Sequence, residues 1–99
     1  MYKLIISRLA LNDISQATAW YENQQDGLGE RFIEEVERSK ALLTSNPFMF
    51  SKVNRNTRHC MTKRFPYGIF YRINESKKQV RISAVVHAKR HPRVWQSRR

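Results

Sequence analysis

Two stretches near the end of the chain have the two-residue period of β-strands, and they constrain the fold more than any other feature. In residues 80–87 every second side chain is aliphatic and should share one face: Val80, Ile82, Ala84 and Val86. The side chains between them should share the opposite face: Arg81, Ser83, Val85 and His87. Residues 69–73 are β-branched or aromatic apart from one arginine, and a polar turn of residues 74–79 joins the two runs. Together they predict an antiparallel β-hairpin.

The first half of the chain predicts a short strand followed by two helices. Residues 2–7 are apolar on both faces at their centre, which predicts a strand in a covered position of a sheet. Ser7 is the predicted N-cap of a helix over about 9–24, and a second apolar stripe of helical period runs through residues 28–43. The glycines within residues 26–29 separate the two helices.

One more strand is predicted between the helices and the hairpin. It covers residues 58–63, with Cys60 as a small core residue. Residues 65–68, Phe-Pro-Tyr-Gly, then turn the chain into the hairpin. The predicted order is β-α-α-β-β-β with a short basic C-terminal tail, in a single domain of residues 1–99. The predicted fold class is α+β, with a helical hairpin packed on a mostly antiparallel four-stranded sheet.

Charge is distributed unevenly along the chain, whose net value is +11. Residues 52–99 contain fourteen lysines and arginines against the single acid Glu75, whereas residues 1–51 contain five against seven acids. This asymmetry points to an acidic partner, which is nucleic acid, a machine that handles nucleic acid, or an acidic protein segment. The alternative is a solvated basic face that maintains solubility.

Several classes of protein are disfavoured. No apolar run approaches the roughly 20 residues that span a bilayer, and residues 1–6 are too short for the apolar centre of a signal peptide. Cys60 is the only cysteine, so no intrachain disulfide can form. Cys60, His87 and His91 lack a recognised metal-ligand spacing. We therefore expect a cytoplasmic protein that needs no membrane, metal or cofactor.

Short motifs are spaced along nearly the whole chain: Asn12-Asp13-Ile14, Trp20-Tyr21, residues 27–32, Asn46-Pro47, residues 64–71, and residues 84–92 with Trp95 and Arg98 beyond. Each motif is weak alone, but in this order and at these separations they resemble the ParE/RelE toxins of bacterial type II toxin–antitoxin systems, also called plasmid stabilisation proteins. The last two stretches resemble the ParE-like branch. The resemblance implies a growth-inhibiting toxin that a cognate antitoxin protein holds silent.

The resemblance leaves two targets, because RelE-like members cleave messenger RNA in the ribosomal A site and ParE-like members poison DNA gyrase. Cleavage through the 2′-hydroxyl needs a base, an acid and cations. RelE-like nucleases commonly place an arginine early in the third strand, where this chain has Gly68, and Glu75 is the only carboxylate after residue 51. A histidine–lysine mechanism would use His87, Lys63, Arg64 and Arg90.

We therefore predict a ParE-like toxin that inhibits gyrase by binding rather than by catalysis. The predicted target-contact residues are basic or aromatic and lie in the tail and the hairpin: Lys89, Arg90, Arg93, Trp95, Arg98, Arg64 and Arg81. His87 is predicted to bond to the backbone and close its strand, and the tail charges to be too exposed to stabilise the fold. The alternatives are a RelE-like ribosome-dependent mRNA endonuclease and a degenerate member that binds its antitoxin without toxicity.

Overall fold

The computed structural model describes residues 2–89, 96 and 98. In chain order the elements are β1 (Lys3–Ile6), α1 (Arg8–Gln24), α2 (Leu28–Ser45), a short 3₁₀ helix (Pro47–Met49), β2 (Arg58–Met61), β3 (Tyr67–Asn74) and β4 (Gln79–His87). The predicted α+β class and the order β-α-α-β-β-β are confirmed. Both helices pack on one face of the sheet, which we call the inner face. No helix within the described ranges is long and apolar enough to cross a membrane.

The sheet has the strand order β1-β4-β3-β2. Strand β1 runs parallel to β4, whereas the other two pairings are antiparallel. The predicted covered position of the first strand is wrong, since β1 lies at the edge of this sheet. Its apolar character has another cause: Leu4 and Ile6 pack against the core under the helices. Ile5 points to the outer face, level with Arg81 of β4.

Polar side chains fix where the two helices begin. The Ser7 hydroxyl accepts the Ala10 N–H at 3.1 Å, which confirms the predicted N-cap of α1. The Glu22 carboxylate, near the end of α1, accepts the N–H groups of Gly27 and Gly29, both at 3.0 Å. Glu22 thereby satisfies backbone donors at the start of α2 and lies where the helix dipole favours negative charge.

Both glycines of the connection between the helices are needed for a geometric reason. Gly27 has φ +87°, a left-handed conformation that other residues rarely adopt. At Gly29 an added Cβ would lie 2.8 Å from the backbone oxygen of Thr18 on α1. The absence of a side chain at Gly29 therefore allows the two helices to approach closely.

An aromatic cluster joins the helices to the start of the hairpin. Phe32 of α2 is fully buried, and its ring centroid lies 5.3 Å from Tyr21 of α1, 5.3 Å from Phe65 and 5.0 Å from Tyr67. Edge-to-face geometry prevails, as aromatic pairs prefer. Cys60 is also buried in this core, as the sequence predicted. The cluster fixes the segment that leads into β3.

Strand β4 contains a bulge at Ser83. The pairing of β3 with β4 is regular as far as Tyr71 with Ile82, and it resumes at Phe70 with Ala84, so Ser83 is skipped in the register. Its hydroxyl instead donates to the Phe70 carbonyl of β3 at 3.3 Å. One extra residue on one strand reverses the side-chain phase beyond it.

The predicted strict alternation over residues 80–87 is therefore wrong after Ser83. Val80 and Ile82 face the helices, and so does Val85. Ala84 and Val86 instead pack with Phe70 on the outer face of the sheet. The bulge consequently turns the end of β4, including His87, towards the helices.

Candidate functional site

The end of the β3–β4 hairpin nearest the tail, which we call the hairpin end, brings two separate segments together. Tyr67 at the start of β3 pairs with His87 at the end of β4, and their rings lie 5.4 Å apart at 77°. Beyond the strand, the Ala88 N–H donates to the Pro66 carbonyl at 2.6 Å. The chain that leaves β4 is therefore held against the turn that enters β3.

His87 makes a backbone contact that limits its chemistry. Its Nδ1 accepts the Lys89 N–H at 3.0 Å, so this nitrogen carries no proton and the proton of the neutral ring is on Nε2. In this arrangement the Nε2–H can donate a hydrogen bond, but the ring has neither a free lone pair to act as a base nor the second ring proton that a general acid would give up. The contact also fixes the backbone of Lys89 just past the strand.

A buried carboxylate fixes the turn on the other side of the hairpin end. Glu35 of α2 is 4% exposed, and its Oε2 accepts the Lys63 N–H at 3.2 Å while its Oε1 accepts from Arg38 at 2.7 Å. The Thr62 hydroxyl donates to the Phe65 carbonyl within the same turn. The exposed side chains of Lys63 and Arg64 thus project from a constrained backbone. The role of Glu35 was not predictable from the sequence, because α2 contains several acidic residues and only packing distinguishes this one.

The predicted site residues other than Arg98 fall into three groups. Lys63, Arg64, His87 and Lys89 lie in the segments that meet at the hairpin end. Arg81 lies elsewhere, on the outer face opposite Arg72 of β3. The predicted residues Arg90, Arg93 and Trp95 lie outside the described part of the chain.

Arg98 forms an ion pair that the sequence analysis did not foresee. Its guanidinium contacts both carboxylate oxygens of Asp13 on α1, with Nη2 3.2 Å from Oδ1. The Asp13 Oδ2 also accepts the Val85 N–H at 3.0 Å, on the edge of β4 beyond the end of β1. The Arg98 side chain is only 19% exposed, so the prediction that tail charges are too exposed to stabilise the fold is wrong for this residue. One signal for Asp13 existed, since it shares a helical face with Ala10 and Ala17.

Replacing Arg98 by alanine should lower the free energy of unfolding by about 1–2 kcal/mol, because it leaves a largely desolvated carboxylate without its cation. The measurement is urea unfolding of the full chain. Lys89→Ala, which removes an exposed cation, is the control and should change stability by less than about 0.5 kcal/mol. Equal effects of the two substitutions would mean that the pair with Asp13 contributes nothing.

A groove of about 580 Å³ opens beside the hairpin end, between α1 and β4. Its lining combines aromatic, aliphatic and polar side chains: Asp13, Gln16, Ala17, Trp20, Tyr21, Tyr67, Val85, Val86 and His87. Trp20 is 57% exposed at its edge, with its ring centroid 5.1 Å from that of Tyr21. An exposed tryptophan beside an apolar groove is typical of a protein-binding surface.

The groups that would cleave RNA are incomplete at the hairpin end. Gly68 lies on the outer face of β3, where an added Cβ would come within 3.0 Å of the Phe70 ring. Glu75 follows β3 at the other end of the hairpin. Within the described ranges no three His, Cys, Asp or Glu side chains converge to hold a metal ion. In the part of the chain that the structure describes, the arrangement therefore provides fixed cations and one imidazole N–H donor, without a free base.

Comparison with known proteins agrees with this architecture. The family described as "ParE toxin of type II toxin-antitoxin system, parDE" matches residues 4–92. Among solved structures, the chromosomal ParDE system from P. aeruginosa aligns with TM-score 0.72 and 15% identity, over 90% of this chain and 98% of that one. Isolated E. coli RelE aligns with TM-score 0.70 and 15% identity, over 98% of this chain and 95% of that one. The intact E. coli RelBE complex aligns with TM-score 0.69 and 16% identity, over 91% of this chain and 100% of that one.

No curated protein matches the chain by sequence. At 15–16% identity the structural likeness shows the fold alone, so membership rests on the family match. The fold and this match together define a toxin of the type II toxin–antitoxin class. More narrowly, the chain belongs to the ParE toxin family, within the wider ParE/RelE group that its sequence motifs resemble.

Proposed function

We propose that this toxin inhibits DNA gyrase in the cytoplasm by binding it directly, and that a cognate antitoxin neutralises it. The proposed gyrase contacts are Arg64 and Lys89 at the hairpin end, continued along the tail by Arg90, Arg93 and Trp95. Arg98 is assigned a different part, because its pairing with Asp13 anchors the end of the tail against α1. Arg81 is too far along β4 to share this surface.

The observation that carries the proposal is a cationic surface without a complete catalytic set. His87 Nδ1 is occupied by the Lys89 N–H. The described carboxylates beside the hairpin end are already in ion pairs, Glu35 with Arg38 and Asp13 with Arg98, so neither is free to act as a base. Lys63 and Arg64, however, are exposed on a turn that Glu35 fixes. Preorganised cations without a base favour binding over RNA cleavage.

The antitoxin is proposed to use the groove beside α1. Trp20 at its edge and the apolar lining below would supply the anchor contacts that protein interfaces need. Two of the structural relatives are toxin–antitoxin systems by their own descriptions, which is consistent with such a partner here.

The decisive measurement is gyrase supercoiling with purified full-length protein, where we expect inhibition or trapped cleavage complexes. Arg64→Glu combined with Lys89→Glu should weaken inhibition at least about tenfold, since each reversal replaces attraction by repulsion at the contact. Arg8→Glu with Arg31→Glu makes the same change of charge on the helices and should leave inhibition intact. Undisturbed supercoiling at saturating protein would refute the gyrase assignment.

The second candidate function is a RelE-like ribosome-dependent mRNA endonuclease. One observation favours it: His87 lies at the hairpin end with Lys63 and Arg64, where its Nε2–H would donate a hydrogen bond to a developing oxyanion. Lys63, Arg64 and Arg90 would supply cations. Codon-phased cleavage of message on purified ribosomes, abolished by His87→Ala, would establish this function in place of gyrase inhibition. Normal growth on strong induction would instead indicate a degenerate member that only binds its antitoxin.

A further inference from the structure

A second cationic surface lies at the other end of the hairpin from His87, on the outer face of the sheet. Arg72 of β3 stands directly opposite Arg81 of β4. Neither forms an ion pair with any carboxylate in the described ranges. Like charges opposite each other on neighbouring strands destabilise a sheet. The two arginines therefore form a pair of like charges on the outer face that no described carboxylate offsets.

Two hollows adjoin at Arg72. The larger, of about 580 Å³, also contains Arg81 and is otherwise mostly polar: Asn74, Glu75, Ser76 and Gln79, with Ile5 and Ile73. The smaller, of about 300 Å³, adds cations from the loop before β2 and from β2 itself: Lys52, Arg55 and Arg58, with Phe48, Asn56, Ile73 and Glu75. We call the four cations Arg81, Arg72, Lys52 and Arg55 the cationic track.

Arg58 has a supporting part in this surface. Its Nη1 donates to the Phe50 carbonyl at 2.7 Å, and its guanidinium lies 5.2 Å from the centre of the Phe48 ring. These contacts fix the loop that carries Lys52 and Arg55. Among the described residues that line the two hollows Glu75 is the only acid, so the track keeps a clear positive excess.

We propose that the cationic track binds the phosphodiester backbone of nucleic acid, independently of base sequence. Arginine, asparagine, glutamine and serine, which line the larger hollow, are side chains that donate hydrogen bonds to phosphate oxygens. A phosphate between Arg72 and Arg81 would replace their mutual repulsion by two charge-assisted contacts. Contacts to phosphate alone position a protein without reading sequence.

An acidic protein segment is the competing partner, and the surface fits it less well. Protein interfaces draw most of their binding energy from buried aromatic or aliphatic anchors. Of the described residues that line the larger hollow, only Ile5 and Ile73 are apolar, and neither is among the exposed large hydrophobics. Phe48 is 45% exposed, but it lies in the smaller hollow beside the Arg58 guanidinium. A polyanion backbone therefore matches the larger hollow better than a peptide does.

The track is distinct from the hairpin end, so the proposal stands whatever the toxin inhibits. The test is fluorescence anisotropy of the purified full chain, without antitoxin, on a duplex DNA of about 20 base pairs and on a single-stranded RNA of similar length, between about 50 and 200 mM salt. Arg72→Gln with Arg81→Gln should weaken binding at least about tenfold and reduce the salt slope by about two, one for each lost phosphate contact.

The matched control is Arg8→Gln with Arg31→Gln, which removes the same charge from the exposed surface of the helices and should leave the salt slope unchanged. Folding of both variants is checked by thermal melting, where relief of repulsion should keep the Arg72/Arg81 variant at least as stable as the wild type. Binding of DNA, of RNA or of both supports the proposal and identifies which backbone is held. Equal weakening by the two double variants would overturn it, as would polyglutamate competing as well as nucleic acid at equal charge concentration.

Discussion

Phe32→Ala is expected to lower the free energy of unfolding by about 3–5 kcal/mol, the usual cost of removing a large core aromatic. Phe32 is fully buried and contacts rings from α1, from the turn after β2 and from β3. Its removal would open a cavity between layers and also lose three aromatic contacts. In a domain whose total stability is of order 5–15 kcal/mol, this loss removes a large share of the free energy of unfolding. The measurement is urea or thermal unfolding of the purified chain.

The matched control for this substitution is Leu9→Ala on α1, since Leu9 is 51% exposed. Exposed positions usually change stability by less than about 0.5 kcal/mol. Phe32→Leu should fall between the two, because it keeps most of the apolar volume. A loss below about 1.5 kcal/mol for Phe32→Ala would show that the cluster repacks and does not hold the layers together.

Tyr71→Phe should have the next largest effect, about 1–3 kcal/mol, because it removes one buried hydrogen bond without changing the shape of the ring. The Tyr71 hydroxyl donates to the Pro47 carbonyl at 2.6 Å and is fully buried with its ring. The substitution leaves that carbonyl, in the 3₁₀ helix after α2, without its partner. Tyr2→Phe is the control and should stay within about 0.5 kcal/mol, since no described residue accepts a hydrogen bond from the Tyr2 hydroxyl.

The same residue predicts how stability depends on alkaline pH. Burial raises the pKa of Tyr71 from 10.0 to about 12, against the lowering effect of the Arg58 charge. The folded state therefore holds this proton more tightly than the unfolded state. The resulting stability is complete below pH 10 and is lost as the pH rises towards 12.

At pH 11 the wild type should have lost roughly 1.4 kcal/mol through this group, which Tyr71→Phe cannot lose. The measurement is the difference in unfolding free energy between the two proteins at several pH values from neutral to about 11. That difference should be constant to about pH 9 and then shrink. A constant difference across the whole range would contradict the raised pKa of Tyr71 in the folded state.

Local sequence was enough to predict the fold class. The strand periods of residues 69–73 and 80–87, with a polar turn between them, correspond to the observed β3–β4 hairpin. Ser7 was recognisable as a cap because a hydroxyl before an apolar helical stripe satisfies free backbone donors. Such features depend on residues within a few positions of each other, so sequence alone carries them. The charge asymmetry and the family motifs could also be recognised from the sequence.

The candidate site was only partly predictable. Lys63, Arg64, His87 and Lys89 were chosen by residue type, and pairing across the hairpin places their segments together. Nothing in the sequence indicated that Arg98 pairs with Asp13, since the two are 85 positions apart. A charge in a tail has no assigned partner until the chain is folded.

Periodicity, caps and charge are local properties, so the elements, their order and the cationic half of the protein could be predicted from the residues alone. Tertiary structure alone decided the register and the distant partners. It introduced the bulge at Ser83, which turns Val85 inward and Val86 outward. It also set Arg72 opposite Arg81. The physical reason is that pairing two strands fixes every cross-strand neighbour at once, and one unpaired residue reverses the side-chain phase beyond it.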